Sequence, residues 1–339
     1  MEELKVIQVG TGGFGQSWLK VIMDYPQTKL VGIVDIMQEN LDAAQQITDL
    51  APTKLYQDPD LAFKEVDADL VLIVTPPKTH KNLAIKALQA GFHVLMEKPI
   101  THTLKEAQEL IEVSKNIDKK IAVSQNYRWR APILTAKKLL SEQVIGQVGY
   151  MEYEFRKAMK FGGWRDNYSE ILLEDMSIHH FDIMRFLLGA EPLGVYAKSF
   201  RPKWSWFSGN PSATLSIDFE NDIQVSYFGS WVSRGKETTW NGDIRIVGEK
   251  GAIEVLDDEV SVSLVNDNDE VTCESIKLVD VPFDDRTSSL DNMVQSIFTN
   301  TTPATSIEDN IKSFQLTCST IESAQTGVSV KISEIKNQQ

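Results

Sequence analysis

Residues 4–15 read Leu4-Lys5-Val6-Ile7-Gln8-Val9-Gly10-Thr11-Gly12-Gly13-Phe14-Gly15, a short apolar run that ends in a glycine-rich turn. The run is rich in β-branched residues and predicts a strand. After the turn, Phe14, Leu19, Ile22 and Met23 recur at helical spacing. The order strand, glycine turn, helix is the context that a dinucleotide-binding Gly-x-Gly-x-x-Gly motif requires.

The chain continues to alternate between strands and helices up to about residue 125. The further predicted strands are 29–34, 69–74, 94–97 and 121–124, and the helices between them are 41–50, 82–90 and 104–115. This alternation implies right-handed crossovers and a parallel sheet that helices cover on both faces. The first part of the chain is therefore predicted to be a doubly wound Rossmann domain.

Each glycine of the turn has a physical reason to be there. Gly10 permits the tight turn, Gly12 lets the backbone approach a pyrophosphate at the helix N-terminus, and Gly15 lets the helix pack closely on the sheet. The cofactor-binding residues predicted in this turn are Gly10, Thr11, Gly12, Gly13, Phe14 and Gly15.

Asp35 ends the second predicted strand, about 20 residues beyond Gly15. Its carboxylate is expected to accept hydrogen bonds from the adenosine ribose hydroxyls and to repel a 2′-phosphate. The next four residues, Ile36-Met37-Gln38-Glu39, include no Arg or Lys that would attract that phosphate. The sequence therefore favours NAD over NADP.

Two loops are predicted on the same edge of the sheet as the glycine turn, because ligands bind outside the carboxyl ends of parallel strands. Thr75 and Pro76 of the first loop are predicted to contact the cofactor, and His80 is either a further contact or a packing residue. The second loop follows Val94-Leu95-Met96 and begins Glu97-Lys98-Pro99. A lysine at a strand end is usually solvated, but here Glu97 and Lys98 are predicted to border the cofactor.

After about residue 125 the pattern changes to strands separated by short polar turns, which is typical of an antiparallel meander. The predicted strands are 148–159, 195–200, 213–219, 223–231, 243–247, 252–256 and 260–265, and the predicted helices are 133–140, 290–298 and 307–325. We therefore predict an NAD-binding domain over residues 1–125 and an α+β domain with a large open, mostly antiparallel sheet over residues 126–339. A sheet face that helices leave uncovered is a candidate surface for a homodimer or homotetramer.

A further predicted helix, 173–189, carries polar residues on one face. Asp175 and His179 are four residues apart and share a turn, and Asp182 joins them. A carboxylate beside a histidine orients the ring and raises its basicity, as a general base requires, although an ordinary helical pair is the alternative. His180 points to another face and is interpreted as structural. No metal site is predicted, since His-Glu-x-x-His is missing from the sequence.

The composition is that of a globular protein, with 42% hydrophobic and 24% charged residues among 339. The formal net charge of −14 argues against nucleic-acid partners, which need a basic patch, and against an anionic membrane surface. Cys273 and Cys318 match no metal spacing and are too few to staple a chain of this size. The sequence shows neither a secretory leader nor an apolar run of roughly 18 residues, so we expect a cytoplasmic protein.

Several of these segments, in this order, resemble the Gfo/Idh/MocA oxidoreductases, the family that includes glucose–fructose oxidoreductase and inositol dehydrogenases. The segments are 9–15, 75–80, 90–99, 126–128, 175–179 and 321–330. The resemblance implies that Lys98 is the catalytic lysine, with Asp175 and His179 completing the polar site. It also implies a cis Lys98–Pro99 bond and a substrate contact by Arg128, next to Asn126.

The reaction implied by the resemblance is NAD(P)-dependent, reversible oxidation of a secondary alcohol on a sugar, cyclic polyol or related small molecule. His179 would accept the hydroxyl proton, Asp175 would hold its ring, and Lys98 would stabilise the developing alkoxide. An NAD-dependent glycosidase on the same scaffold and a non-catalytic NAD-binding regulator are the alternatives. A regulator needs no proton acceptor, so the presence of all three residues argues against it.

Five tryptophans of the second half give weak support to a carbohydrate substrate, because sugars stack on indole faces; ordinary packing on the sheet is the alternative. They are Trp164, Trp204, Trp206, Trp231 and Trp240. The segment Trp164-Arg165-Asp166-Asn167 precedes the helix of Asp175 and is predicted to contact substrate, with Trp164 as the leading candidate.

Overall fold

The computed structural model describes residues 3–333, except for the side chain of Trp164. The chain folds into two units, one built from the chain up to Asn126 with Pro282–Ile311, the other from Tyr127–Val281 with the chain from Lys312. The prediction of one continuous domain over residues 126–339 is therefore corrected. The physical reason is apolar packing: Leu290, Met293 and Val294 are buried in the same core as the first helix of the chain.

The first unit contains a six-stranded parallel sheet in the order β3-β2-β1-β4-β5-β6. Its strands are β1 Leu4–Val9, β2 Thr28–Val34, β3 Leu55–Tyr56, β4 Leu70–Ile73, β5 His93–Glu97 and β6 Ile121–Ser124. Its helices are α1 Gly13–Asp24, α2 Gln38–Thr48, α3 Pro59–Glu65, α4 Pro77–Gln89, α5 Leu104–Ser114 and α8 Asp285–Phe298. The chain enters at the centre of the sheet and winds outward in both directions, which confirms the predicted doubly wound topology.

Burial explains why this sheet forms where the sequence predicts it. All four residues of β4 are buried, as strands covered by helices on both faces must be. Trp18, Leu19 and Ile22 form the buried stripe of α1 and pack on the sheet. The elements that the sequence pattern missed here are β3 and α3, which are short.

The second unit contains a nine-stranded sheet in the order β14-β13-β12-β11-β7-β10-β9-β8-β15. Its strands are β7 Val148–Arg156, β8 Pro192–Phe200, β9 Ser212–Phe219, β10 Gln224–Ser230, β11 Asp243–Gly248, β12 Gly251–Leu256, β13 Glu259–Val265, β14 Val271–Ile276 and β15 Val330–Lys331. The pairs are antiparallel except β7 with β10, which is parallel. The mostly antiparallel prediction is thus confirmed, and β14 and β15 extend the predicted strand set.

Helices cover one face of this sheet. The helices are α6 Ala131–Ser141 and α7 Ser177–Leu188, with α9 Ile307–Thr326 starting in the first unit and continuing into the second. Met151, Tyr153 and Phe155 of β7 point into the apolar core with α6 and α7, whereas Glu152 and Glu154 alternate with them and are exposed. This alternation is what a sheet with one solvated face requires.

Candidate active site

The glycine turn has the geometry that its spacing predicts. Gly10 has φ 93°, and a Cβ at this position would lie 2.2 Å from the carbonyl oxygen of Val74. A Cβ on Gly15 would lie 2.4 Å from the carbonyl oxygen of Gly10, so α1 could not pack this closely with a larger residue. Only glycine fits at these two positions.

Gln8, in strand β1, supports this turn, and the glycine motif did not indicate this role. Its fully buried side chain donates from Nε2 to the carbonyl oxygens of Gly10 and Gly15, at 2.9 and 2.7 Å. The signal available in the sequence was an amide inside an otherwise apolar strand. Gln8 therefore holds the two ends of the turn together.

The N-terminus of α1 fits the pyrophosphate of a dinucleotide. Gly12 is the N-cap, and within the described residues no side chain caps this helix. A Cβ on Gly12 would meet only Asn40 Nδ2, at 3.9 Å, and a Cβ on Gly13 would meet nothing within 4 Å. The space above the turn is thus open beside backbone N–H groups that favour an anion.

Asp35 lies next to this turn and fixes its shape. One carboxylate oxygen accepts from the backbone N–H and the hydroxyl of Thr11 at 2.7 and 3.2 Å, and the other accepts from Met37 N and Asn40 Nδ2 at 2.9 and 3.0 Å. Thr11 is fully buried and is the partner of Asp35, and its contact with the dinucleotide stays a prediction. The negative charge of Asp35 stays at the turn, which is the property that disfavours a 2′-phosphate.

The turn Glu97-Lys98-Pro99 lies at the carboxyl end of β5, on the sheet edge that carries the glycine turn. The Lys98–Pro99 bond is cis, which confirms what the resemblance implied. The buried carboxylate of Glu97 accepts a 2.8 Å bond from Trp18 Nε1 and a 3.2 Å bond from Lys98 N. Burial raises the pKa of Glu97, while Trp18 and the charge of Lys98 oppose the rise. Glu97 is thus an anchor that orients Lys98, and its contact with a cofactor stays a prediction.

His80 is a second anchor of this edge of the sheet. The ring is fully buried, and its two nitrogens lie 2.9 Å from the carbonyl oxygen of Pro99 and 2.8 Å from that of Thr75. Burial lowers the pKa of His80, and the bonds to these carbonyls oppose that change. These contacts give His80 a packing role, and its contact with a cofactor stays a prediction. Thr75 is partly buried and Pro76 is exposed, and both lie just after β4, as predicted.

Arg286 is a cation at the glycine turn that the sequence analysis missed. Its guanidinium carbon lies 5.1 Å from the centre of the exposed Phe14 ring and 5.6 Å from that of Trp18, and the guanidinium donates to Ser17 Oγ. The residue comes from α8, some 270 positions along the chain, so no local pattern could have indicated it. Arg286 adds positive charge beside the first turn of α1.

Asp175 and His179 lie in the second unit, where the predicted helix 173–189 begins with a π-helical turn, Leu172–Met176, before α7. Such turns are rare and are frequent at functional sites. Asp175 is in the π turn, 3.5 Å from Arg165 Nε. Burial and then the negative charge of Asp175 raise the pKa of Tyr168 to about 12. Pairing of Asp175 with His179 stays a prediction.

The ring of His179 stacks on an aromatic neighbour of the second unit. It stacks on Tyr127 with 4.4 Å between ring centres and 11° between planes. Arg130 lies 3.5 Å from the centre of the Tyr127 ring and donates from Nη1 to Asn241 Oδ1 at 3.1 Å. This stack fixes the plane of the His179 ring, and the sequence did not predict it.

Arg128 and Asn126 have other partners than the predicted substrate. The guanidinium of Arg128 is buried and bidentate on Asp182, with Nε–Oδ2 at 2.5 Å and Nη2–Oδ1 at 2.7 Å. Asp182 is therefore the ion-pair partner of Arg128. The amide of Asn126 donates to Asp285. Both residues hold the chain segment 126–128 in place, and their contact with a substrate stays a prediction.

His180 and Trp164 complete the comparison with the predicted residues. His180 is buried among aromatic rings with Nδ1 3.0 Å from the Tyr227 hydroxyl, and burial lowers its pKa to about 3, in agreement with a structural role. Trp164 lies in the 3-10 turn Gly163–Asn167, and its side chain is outside the described part of the structure. Within residues 3–333 no group of three or more His, Cys, Asp or Glu side chains could hold a metal ion.

A Rossmann sheet with an intact glycine turn, followed by a mostly antiparallel sheet, defines an NAD-binding oxidoreductase. Residues 4–125 match the model of an oxidoreductase family with an NAD-binding Rossmann fold, and residues 133–254 match the GFO/IDH/MocA C-terminal domain. The chain belongs to the Gfo/Idh/MocA oxidoreductase family.

Two relatives have names that specify a sugar or polyol dehydrogenase. D-apiose dehydrogenase of Paraburkholderia graminis is 25% identical over 99% of this chain and 92% of its own length. An NAD+-dependent scyllo-inositol 2-dehydrogenase of Bacillus subtilis is 26% identical over 74% of this chain and 73% of its own length. Within residues 3–333, no helix has the length and apolar character needed to cross a membrane.

The same fold occurs in a solved oxidoreductase from Agrobacterium radiobacter in complex with NAD+, L-tartaric acid and magnesium. The two structures match with a TM-score of 0.87 and 23% identity, over 97% of this chain and 98% of that one. At this identity the likeness shows the fold.

Proposed function

We propose that the protein is an NAD-dependent dehydrogenase that oxidises a secondary alcohol of a sugar, cyclic polyol or related small molecule, and reduces the ketone in reverse. Lys98, Asp175 and His179 are proposed to handle the reacting hydroxyl. Support for the substrate class comes from the relatives named for apiose and scyllo-inositol.

The single observation that carries the proposal is the position of Lys98. It follows β5, which pairs with β4, which in turn pairs with the strand that leads into the glycine turn. The lysine thus lies at the carboxyl-end edge where open α/β sheets bind their ligands. Trp18, Glu97 and His80 hold the backbone around it, so its ammonium is presented from a rigid turn.

The residues of the first unit are proposed to bind and orient NAD. The open space at Gly12 and Gly13 suits the pyrophosphate, Arg286 supplies a nearby positive charge, and Asp35 selects against a 2′-phosphate. When bound, NAD supplies the acceptor for the hydride that leaves the substrate carbon. The first unit therefore provides both the cofactor site and the lysine.

The acid–base part of the reaction is assigned to three side chains. The Lys98 ammonium donates a hydrogen bond to the reacting oxygen and stabilises its developing negative charge, an effect that costs about 3–4 kcal/mol when one such donor is removed. The imidazole of His179 takes the hydroxyl proton, and its stacking on Tyr127 keeps the ring in one plane. Asp175 stabilises the imidazolium that forms.

A spectrophotometric screen tests the proposal. Polyols, aldoses and sugar acids are offered with NAD or NADP, and the NADH or NADPH formed is followed in wild type and in a His179→Asn variant. We expect stoichiometric NADH with at least one alcohol, poorer turnover with NADP, and loss of most turnover in the variant. Absence of NADH from every substrate, or hydrolysis without net NADH, would contradict the proposal.

A homodimer or homotetramer through the exposed face of the nine-stranded sheet is part of the proposal. The support is that this face exposes Tyr150, Tyr196 and Phe200, while Arg245 is flanked by two glutamates. Light scattering after size exclusion should give two or four chains for the wild type and fewer for Arg245→Glu. A monomeric wild type would refute this part. A cytoplasmic location, where the NAD pool is available, is proposed with it, and cell fractionation checks it.

A further inference from the structure

Three segments of the second unit form a basic region in a chain whose formal net charge is −14. They are residues 156–165, with four Lys or Arg, and residues 201–207 and 231–236, with two each, and none of the three includes an Asp or Glu. We call these three segments the basic surface. The charge of the basic surface is therefore opposite in sign to that of the chain as a whole.

Backbone and indole hydrogen bonds hold the three segments together. Met159 N donates to Trp231 O at 3.2 Å, and Trp206 Nε1 donates to Met159 O at 2.9 Å. Trp204 Nε1 donates to Val232 O at 3.0 Å. The basic surface is therefore one ordered structure, although its parts are up to about 70 residues apart in sequence.

Three cations of the basic surface lie over indole rings at the same distance from the ring centre. Lys157 lies over Trp240, Lys160 over Trp206 and Arg234 over Trp204, each at 5.4 Å. Contacts of this kind hold a flexible cation in place without neutralising it. Trp204 and Trp240 are still 52% and 39% exposed, so indole surface is available beside the charges.

Half of the eight Lys and Arg side chains of the basic surface have an acidic partner within 4 Å, namely Arg156, Lys157, Arg165 and Lys236. Lys157 lies 3.3 Å from Glu237. In the part of the chain that the structure describes, no carboxylate lies within 4 Å of the side-chain nitrogens of Lys160, Lys203 or Arg234, all of them exposed. Positioned cations with exposed indoles suit a ligand that is both anionic and polyhydroxylated, because the charge attracts the anion and the indole stacks on a sugar ring.

Arg165 connects the basic surface to the residues of the proposed reaction. It ends the first of the three segments, lies 5.7 Å from the centre of the Phe161 ring, and its Nε is 3.5 Å from Asp175. The basic surface therefore continues to the π turn at the start of α7. We propose that the basic surface binds the anionic group of the substrate, so that the substrate is a sugar or polyol carrying a carboxylate or a phosphate.

This inference rests on the proposed function, since it assigns the basic surface to the substrate of that reaction. The cations are exposed, so their attraction is screened by salt over a Debye length of about 8 Å at physiological ionic strength. An exposed charge pair contributes little alone, and two cations together correspond to about a fivefold to tenfold change in affinity. The effect should fall on substrate binding and leave the chemical step unchanged.

The test compares glucose, glucuronate and glucose 6-phosphate, and the corresponding galactose set, with the NAD-saturated protein. Calorimetry gives the Kd of each, and the NADH assay gives kcat and KM at low and high NaCl. The double variant Lys160→Gln with Arg234→Gln removes two cations of the basic surface. Lys138→Gln is the matched control, because it removes an equally exposed lysine from α6 in the same unit.

We expect an anionic sugar to bind more tightly than its neutral counterpart at low salt, with the difference shrinking as salt increases. The double variant should raise the Kd and KM of that anion about fivefold to tenfold without changing kcat, and Lys138→Gln should change neither. Comparing glucuronate with glucose 6-phosphate distinguishes a carboxylate from a phosphate.

Equal or tighter binding of the neutral sugars would overturn the inference, as would an unchanged KM in the double variant. Either result combined with NADH formation from a neutral sugar leaves the proposed function standing. Conversely, anion binding that is lost in the double variant but is never accompanied by NADH supports an anion site here and contradicts the proposed reaction.

Discussion

The bond between Trp18 and Glu97 gives a sharp test of how the turn before Lys98 works. Trp18 Nε1 donates to Glu97 Oε1 at 2.8 Å, and the carboxylate is buried. Burial raises the pKa of Glu97, and the Trp18 bond is the largest of the effects that oppose the rise. We predict that Trp18→Phe, which removes the donor, raises the pKa of Glu97 further.

The size of this change follows from the bond that is lost. A hydrogen bond to a charged group contributes about 1.5–3 kcal/mol, and about 1.4 kcal/mol corresponds to one pKa unit. Loss of this bond should therefore raise the pKa of Glu97 further. Since this carboxyl already has a folded pKa above its unfolded value, its ionisation costs stability, and the cost appears as pH rises through the folded pKa. Trp18→Phe should thus lose more stability at pH 8 than at pH 5.

Urea unfolding at both pH values and the pH profile of kcat/KM measure the two consequences. The acid limb of the profile should move up in Trp18→Phe, because Lys98 loses the neighbouring negative charge at a higher pH. Glu97→Gln is the matched control, since it removes the charge and keeps the acceptor for Trp18. The free energy of unfolding of the Glu97→Gln variant should no longer include the pH dependence that ionisation of Glu97 causes. The reasoning is refuted if Trp18→Phe destabilises equally at pH 5 and pH 8 and its acid limb stays in place.

Three further predictions concern single side chains. Asp35→Asn should raise kcat/KM with NADP relative to NAD by about tenfold, because a neutral amide does not repel the 2′-phosphate; an unchanged ratio contradicts the role of Asp35. Tyr127→Leu should lower kcat about tenfold with the NAD Kd unchanged, whereas Tyr127→Phe keeps the ring that stacks on His179 and should keep kcat; equal kcat in both variants contradicts the stack. Because burial holds the pKa of His180 at about 3, below its unfolded value of about 6.5, stability should fall as pH drops below 6.5. At pH 5 the loss in the free energy of unfolding is about 2 kcal/mol. Urea unfolding should show a smaller loss of stability at acid pH in His180→Gln than in wild type, and an equal loss would contradict this prediction.

The Rossmann half was predictable from sequence because its signals are local. The apolar runs of β1 and β4 directly indicate buried strands. The glycines stand where a Cβ atom would collide with backbone oxygens, so their positions directly indicate the turn. By contrast, the return of Pro282–Ile311 to the first unit depends on packing between distant segments. The π turn at Leu172–Met176 was also not predictable, since a one-residue change in hydrogen-bond register barely alters apolar periodicity.

The motifs of the candidate site could be predicted from the sequence, whereas the hydrogen-bond and ion-pair partners of its side chains mostly could not. The positions of Lys98 and Asp35 could be predicted because each follows a strand at the sheet edge that carries the glycine turn. The bidentate contact of Arg128 with Asp182 could not be predicted, because the two residues lie 54 positions apart in sequence and nothing local indicates it. Arg286 was missed for the same reason. A family resemblance transfers positions well, but it does not say which charges neutralise one another in this chain.

The most direct test of the central claim is the turnover and NAD affinity of Lys98→Met, measured with the substrate that the NADH screen identifies. Lys78→Met is the control, since it removes an exposed lysine from the neighbouring loop at the start of α4. We predict a kcat at least about 100-fold lower for Lys98→Met with an NAD Kd within about twofold of wild type. Unchanged turnover, or NAD binding lost in parallel with turnover, would contradict the assignment of Lys98 as the catalytic lysine.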